Sequence, residues 1–410
     1  MVSNSDSFLS DEDISTIVKN AGVNVKEILD YNVINLNEKM LGYMADYYKL
    51  KIDIKTDLGK ETLNYFIKAI PRTNEAKAEM ALSMNLFDQE LNFYRIIKGE
   101  IENPEIPPWS AKLIASLEEA TIYEDLDAQN YRVRNKFQPF DEPHTFQALQ
   151  TLARFHASSL IYEEKKRIEI KDWRIEDAFD KYYDIGGYKM THPWYIQCMD
   201  GTLGAILSHS KFKSDILKMV ESRWTEVWSK NLDLGEPSNV FRNVVTHNDL
   251  WNNNLMFHYN ENVPDDCKLV DFQGVRIQPP AADVMLLLHC NLDLEYREKH
   301  MNMFLNYYYN TLKDIFDKQG MSLTKIMTLE TFLESAEKYR QWGLFLAVCL
   351  YPTIWIKDEV IAEIFGDTQQ YKDILTKNKR AFINNMIENN EGFKNKLLPI
   401  YEELVERYFL

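Results

Sequence analysis

His247-Asn-Asp-Leu-Trp-Asn-Asn-Asn-Leu-Met-Phe257 decides how this chain folds, and Leu269-Val-Asp-Phe-Gln273 completes it. Short apolar runs at Leu255–Phe257 and Lys268–Val270 flank the turn-rich segment Tyr259–Asp266, which predicts a β-hairpin. In an antiparallel hairpin one strand starts beside the end of the other, so Asn254 and Asp271 are expected at the same edge. Asp249, five residues before Asn254, lies on the loop entering that edge. Two oxygen ligands for a hard cation and one carboxylate able to orient a hydroxyl would then meet.

Such a meeting is what phosphoryl transfer needs. His-x-Asp-x4-Asn followed by Asp-Phe is also the spacing of a kinase catalytic loop and its metal-binding aspartate. A bare His-x-Asp-x4-Asn match arises by chance often enough to mean little. The second aspartate, at hairpin distance behind an apolar pair, makes the joint match specific.

The same logic finds partners upstream. Gly42–Ile54 and Glu61–Ile70 are rich in aromatic and β-branched residues and flank the turn Thr56-Asp-Leu-Gly59, so a second hairpin is expected. Lys68, near the end of its second strand, shares a face with Phe66 and Ile70. That suits a lysine reaching into a cleft, although a snorkelling edge-strand lysine has the same pattern. Pro71 ends the strand, and residues 74–98 read as helix in two pieces with Glu90 in the middle. A strand lysine held by a glutamate on the next helix is the device that fixes a phosphate-contacting lysine. Ala120–Leu126 reads as a strand running into a hinge, where the backbone of Glu124 and Leu126 can meet an adenine.

At 410 residues the chain is long enough for two lobes, and 45% hydrophobic with 27% charged residues is a globular composition. A net charge of −16 argues against nucleic acid or anionic membrane as partner, so any nucleotide must be held by local groups and metal. Four scattered cysteines with no Cys-x-x-Cys pair suit a reducing compartment without disulfides or zinc. The polar start Met1–Asp6 and the lack of a membrane-length apolar run point to a cytoplasmic location, with no obligate protein partner.

The remaining chain divides coarsely. Ser10–Asp13 begins a helix as a capping box, with Ile14, Ile17 and Val18 on one face, and a short helix is expected around Val25–Leu29. Beyond residue 143 helices dominate: Thr145–Leu160, Ser208–Leu232, Ala281–Leu288, Glu330–Leu350, Asp367–Asn389 and Gly392–Phe409. Gly274–Pro280 reads as loop. His156 is expected to brace the catalytic loop from the core, and Asp283 to cap its helix or brace the same loop. The expected fold is α+β and bilobal: an N-lobe over 1–123, a hinge over 124–128 and a helical C-lobe over 129–410 carrying the hairpin 247–273.

With Lys68, Glu90, Asp249, Asn254 and Asp271 in order, the chain resembles the protein-kinase-like superfamily, in its small-molecule branch. His247–Phe257 with Leu269–Gln273 looks specifically like the ecdysteroid kinase-like (CHK kinase-like) family. Phe66-Ile-Lys68, Phe87-Asp-Gln-Glu90, Tyr123–Leu126 and Leu152–Ala157 support the match. The resemblance implies an ATP- and Mg2+-dependent kinase of a small, rather apolar alcohol, with ecdysteroids the named substrates and a detoxication role. It casts Asp249 as the hydroxyl-orienting base, Asn254 and Asp271 as metal ligands, Lys68 with Glu90 as the phosphate contact, and Gly42 as the phosphate loop. Two departures stand out: Asn248 occupies the family's glycine position, and no Gly-x-Gly-x-x-Gly is present. The alternatives are a choline- or ethanolamine-type kinase with Trp342, Tyr351 and Trp355 as an aromatic cage, and a nucleotide-binding scaffold without catalysis. For the apolar acceptor, Trp194, Tyr195, Met285, Leu288, Trp342, Phe345, Leu350 and Trp355 are candidate pocket residues.

Overall fold

The computed structural model describes residues 8–36, 45–72, 75–179, 182, 186–357, 360, 364 and 367–410. The expected capping box opens α1 (Asp11–Asn20): Ser10 Oγ accepts from Asp13 N at 3.1 Å and Asp13 returns the bond to Ser10 N at 2.9 Å. Ile14, Ile17 and Val18 are all buried, and α1 lays them on an antiparallel sheet. Its strands are β1 (Glu27–Asn35), β2 (Asp46–Lys55), β3 (Lys60–Ala69), β4 (Leu113–Ser116) and β5 (Ala120–Glu124), in the order β1-β2-β3-β5-β4. Thr56 N donates to Gly59 O at 2.8 Å and closes the expected β2–β3 turn. The register pairs Lys68 with Tyr47 and with Thr121. Opposed residues share a face of the sheet, so these three side chains lie together.

The helix expected around Val25–Leu29 is instead strand β1. Ile28, Tyr31 and Val33 gain a half-buried place over the same core only by pairing with β2, and that pairing outweighs local helix preference. After the sheet come α2 (Glu75–Ser83), α3 (Leu86–Asn92), a π-helical turn at Phe93–Ile97 and α4 (Lys98–Ile101). The break between α2 and α3 falls at Asn85, in the left-handed region with φ 54°.

The helical part begins with α5 (Glu142–Glu169), capped by Asp141 on His144 N, and continues with α6 (Ile175–Phe179). The expected helix Ser208–Leu232 is two, α7 (Pro193–His209) and α8 (Ser214–Leu232), with a break at 210–213. Four more strands belong to this part: β6 (Arg132–Val133) just after the hinge, then, beyond α8, β7 (Val244–Thr246) and the hairpin of β8 (Leu255–Asn260) with β9 (Val263–Leu269). Gly274–Pro280 is not simply loop, since β10 (Arg276–Gln278) pairs with β7 and so ties the segment after Asp271 to the segment before His247. Then come α9 (Pro280–Asn291), α10 (Leu294–Lys318), which the sequence reading passed over, and α11 (Leu329–Ile354). The expected helix Asp367–Asn389 is α12 (Thr368–Thr376) plus α13 (Lys379–Asn389), and α14 (Glu391–Tyr408) ends the chain. No helix among the described residues is long and apolar enough to cross a membrane.

One contact sets the packing of the helical part. A Cβ on Gly343 of α11 would stand 2.6 Å from the backbone carbon of Met285 and 2.8 Å from Leu286 N on α9. Only glycine allows the two helices this close, and α9 carries Asp283 to the site. Gly343→Ala should therefore lower the melting temperature, by about 1–3 kcal/mol of stability as for other overpacked sites. A variant melting with the wild type would show that α9 and α11 are not held at this distance.

Candidate active site

Lys68 is buried, and so is its charge. Its Nζ donates to Glu90 Oε2 and to Asp271 Oδ1, each at 2.6 Å. Burial alone would lower the ammonium's pKa, but the Asp271 and Glu90 carboxylates more than reverse this and raise it well above the ordinary lysine value. Glu90 is pushed up by burial against the pull of Lys68, and its Oε1 accepts from Phe272 N at 3.3 Å. One lysine thus joins strand β3, helix α3 and the end of the β8–β9 hairpin. The expected Lys68–Glu90 pair is present, with Asp271 as a third member.

The hairpin delivers the other groups as its spacing requires. Leu255 opposes Leu269, and Val270 N donates to Asn254 O at 3.1 Å, so Asn254 and Asp271 stand at one edge. Asn254 Nδ2 donates to Asp249 Oδ2 and to its backbone oxygen, both at 2.8 Å. Those bonds use the Asn254 amide nitrogen, while Asp271 holds Lys68 on Oδ1. Burial, reinforced by the Asp271 charge, pushes the Asp249 carboxyl up to about 7 against the pull of Asn254, Lys68 and Gln273.

Struts from the core hold this loop. His247 Nδ1 accepts from Asp249 N at 3.2 Å, so its Nε2–H donates to Val270 O at 2.9 Å and ties the Asp249 loop to the Asp271 strand. Burial lowers the His247 pKa, which keeps the ring neutral for that role. Asp283 accepts from His247 N at 2.6 Å and Asn248 N at 2.9 Å, and His156 Nε2 donates to it at 3.1 Å. It braces the loop rather than capping α9, whose cap position is Pro279. His156 accepts in turn from Tyr308 Oη at 2.6 Å. Phe272 stacks on Phe93 at 4.2 Å, with Trp109, Phe155 and His247 around it. A Cβ on Gly274 would stand 2.9 Å from His247 O, so the turn after Asp271 must carry glycine there.

Asn248 does what glycine alone does not. Its φ is 59°, in the left-handed region that asparagine tolerates. Its Nδ2 donates to Thr246 Oγ1 and Gln278 Oε1, both at 2.7 Å, and its Oδ1 accepts from Trp342 Nε1 at 2.9 Å. The residue before Asp249 is thereby fixed to α11.

A cavity of about 150 Å3 opens beside Asp249, Asn254, Asp271 and Gln273. Its other walls are mostly apolar, including Met84, Leu86, Tyr188, Trp194, Trp251, Leu350, Ile354 and Leu375. Of the expected pocket residues only Trp194 and Leu350 line it; Tyr195, Met285, Leu288, Trp342, Phe345 and Trp355 are core. Trp342 and Tyr351 are spent on hydrogen bonds to Asn248 and His289 O, and no cage of Trp342, Tyr351 and Trp355 faces the cavity. Glu124 and Leu126 stand at the end of β5 beside β3. The Glu124 side chain is engaged with Lys112 N and Gln129, and the Leu126 carbonyl with the backbone of Gln129 and Tyr131. Gly42 lies outside the described residues. Gln273, Tyr188 and Trp251 escaped the sequence reading; only Gln273, following Asp271-Phe272 directly, carried a signal there. No cluster of three or more His, Cys, Asp or Glu side chains able to hold a metal occurs among the described residues.

A buried lysine fixed by a helix glutamate, facing a hairpin flanked by Asp249, Asn254 and Asp271, is a kinase-like arrangement on an α+β fold. The chain belongs to the ecdysteroid kinase-like family, which it matches over residues 39–321. An uncharacterized kinase-like protein of Caenorhabditis elegans is 27% identical over 273 residues, 63% of this chain. The chain spans 65% of the length of that curated relative. Among solved structures, an ethanolamine kinase of Plasmodium vivax is 12% identical with a TM-score of 0.44, covering 91% of this chain and 83% of its own. A choline kinase of Cryptosporidium parvum is also 12% identical at 0.44, covering 97% and 100%.

Two outcomes test this geometry. Asn248→Gly keeps the backbone angle but leaves Trp342 Nε1 unpaired and Gln278 Oε1 with only the Thr246 hydroxyl, at about 1–3 kcal/mol in melting stability. Asn248→Ala adds backbone strain of about 1 kcal/mol or more and should melt lower still; equal melting of all three proteins would refute the network. The second concerns pH. Folded Asp249 holds its proton up to about 7, whereas the unfolded chain releases it near the ordinary value of about 4. Stability from this group therefore falls as pH rises through that window. Asp249→Asn should melt above the nucleotide-free wild type at pH 8, with the gap closing toward pH 4. A gap independent of pH would contradict the burial of Asp249.

Proposed function

We propose that this protein is an ATP- and Mg2+-dependent kinase that phosphorylates a hydroxyl of a small, largely apolar molecule of the ecdysteroid or steroid-alcohol kind. The observation that carries the reading is the joining of two parts in one cleft. The Lys68–Glu90–Asp271 ion cluster meets the Asp249–Asn254 pair, and the remaining walls offer aromatic and aliphatic surface rather than further carboxylates. A cationic acceptor would call for more acid beside the aromatics; among the described residues, Asp249 and Asp271 are the only carboxylates on the lining.

In this reading Lys68, held in place by Glu90, contacts the α- and β-phosphates, and the β5 end at Glu124–Leu126 receives the adenine edge. Asn254 Oδ1 and Asp271 would hold magnesium together with phosphate oxygens and water, and the cation would supply neutralisation of the phosphate charge. Asp249 orients the acceptor hydroxyl and takes its proton late, since the transition state is loose and positioning supplies most of the rate. A carboxyl held near 7 is matched to that task at neutral pH. The apolar walls orient the acceptor body and exclude water, which protects the nucleotide from hydrolysis.

The test is ATP-dependent phosphate incorporation across hydroxylated sterols and xenobiotics, alongside choline. Asp249→Asn should cut turnover by about a hundredfold or more while leaving nucleotide affinity nearly intact. Wild-type turnover in that variant would remove Asp249 from the chemistry. Thermal shifts with an ATP analogue present should show stabilisation by ecdysteroids and none by choline. Stabilisation by choline alone would overturn the apolar acceptor.

A further inference from the structure

Tyr188 stands on the wall of the cavity that holds Asp249, in the segment leading into α7. Its ring is gripped from several directions. The Arg276 guanidinium carbon lies over it at 4.8 Å from the ring centre, and over the Trp342 ring at 5.4 Å. Trp194 meets the phenol edge to face at 5.2 Å, and the Trp342 ring is 6.0 Å away. Arg276 is 3% exposed and does not itself line the cavity, so the phenol ring is what an occupant meets. Gly235 closes the stack from behind. A Cβ there would stand 3.0 Å from Arg276 Nη1 and 3.1 Å from the Trp342 ring, so both side chains press on its backbone.

Arg276 belongs to the same frame as the catalytic loop. On β10 it opposes Thr246 of β7, the residue before His247, and its carbonyl accepts from Thr246 Oγ1 at 3.2 Å. Trp342, the other plate of the stack, donates to Asn248 beside Asp249. The place of the Tyr188 ring relative to Asp249 is therefore set by β10 and α11. Met84, Leu86, Leu350, Ile354 and Leu375 give the cavity walls of another kind, aliphatic and free to change rotamer. A flat wall that is already immobile loses no freedom when a ligand lies on it, and gains most from a ligand that is itself flat and rigid. Burial, more than any neighbouring charge, pushes the Tyr188 phenol well above its ordinary pKa, so the surface it offers is neutral.

We propose that Tyr188 selects the acceptor by offering a fixed flat face to a rigid fused-ring body, and that Arg276 is the positioning residue that holds this face in line with Asp249. The inference rests on the reading of the cavity as the acceptor site of a kinase. A fused-ring alcohol laid on the phenol is held in one orientation, so that a single hydroxyl is presented to Asp249. A flexible-chain alcohol can fill the aliphatic part of the cavity, but it must give up its own freedom to lie flat and gains little from the ring.

The experiment is calorimetric titration of the full chain, saturated with a non-hydrolysable ATP analogue and magnesium, with ecdysone as ring probe and 1-octanol as chain probe. Tyr188→Ala should lose about thirtyfold in ecdysone affinity and less than about threefold for 1-octanol. Tyr188→Phe keeps the face and should bind ecdysone within about threefold of wild type. Arg276→Met keeps the length without the planar cation and should lose about tenfold for ecdysone, with 1-octanol and the ATP analogue bound as before. Arg276→Lys should not restore the loss, because an ammonium cannot stack as a plate. No ecdysone binding by wild type, equal ecdysone affinity in wild type and Tyr188→Ala, or a Phe variant as weak as the Ala variant would each overturn the selection by Tyr188. Equal losses of all three ligands in Arg276→Met would make Arg276 a general structural residue and overturn its positioning role. Ecdysone bound through Tyr188 yet receiving no phosphate from ATP would sink the proposed function and leave this wall standing; transfer to ecdysone undiminished in Tyr188→Ala would do the reverse.

Discussion

Everything at the cleft depends on one buried cation shared between two carboxylates. Lys68 cannot be left alone at that depth, and neither can Glu90 or Asp271; each is tolerable because the others are within 2.6 Å of it or of its partner. Removing the lysine would strand two like charges, at about 3–5 kcal/mol for breaking a buried pair. The cluster therefore acts as a clamp: sheet, helix α3 and hairpin can be assembled only with these three groups in register. With both carboxylates ionised it also carries an excess of one negative charge.

Around the clamp, the loop that carries Asp249 is over-determined. Asp283 fixes two of its amides, His247 bolts it to the Asp271 strand, and Asn248 anchors it to Trp342 on α11. Asn248 and Asp271 both adopt left-handed backbone, with φ of 59° and 66°. Strain of this kind persists only where neighbours enforce it, and here the neighbours are hydrogen bonds whose loss would expose buried polar atoms. The helix that walls the cleft is thus the one that holds the residue before Asp249, so wall and carboxylate move together.

Much of this was legible in the residues themselves. The hairpin spacing placed Asn254 and Asp271 at one edge, and the strand pattern put Lys68 on the face that meets Glu90. His156 read as a brace and Asp283 as either a helix cap or a brace, because a histidine and an aspartate on apolar helices need partners; the loop amides took Asp283. What escaped was set by partners far away in the chain. β1 has no period of its own that outweighs helix and becomes a strand only beside β2; β10 is three residues long and exists because β7 is there. The cavity wall gathers Met84, Tyr188, Trp251 and Tyr371 from separate segments, which no spacing connects. Trp342 looked like pocket material, yet its indole is turned to Asn248, a choice that apolar periodicity does not encode.

The central claim is that Asp271, poised between Lys68 and Asn254, makes nucleotide binding depend on magnesium. Calorimetric titration of a non-hydrolysable ATP analogue, with and without magnesium, into wild type and Asp271→Ala tests it most directly. The account predicts that magnesium tightens wild-type binding by about tenfold or more and does nothing for the variant. Superimposable magnesium dependence in the two proteins would contradict it.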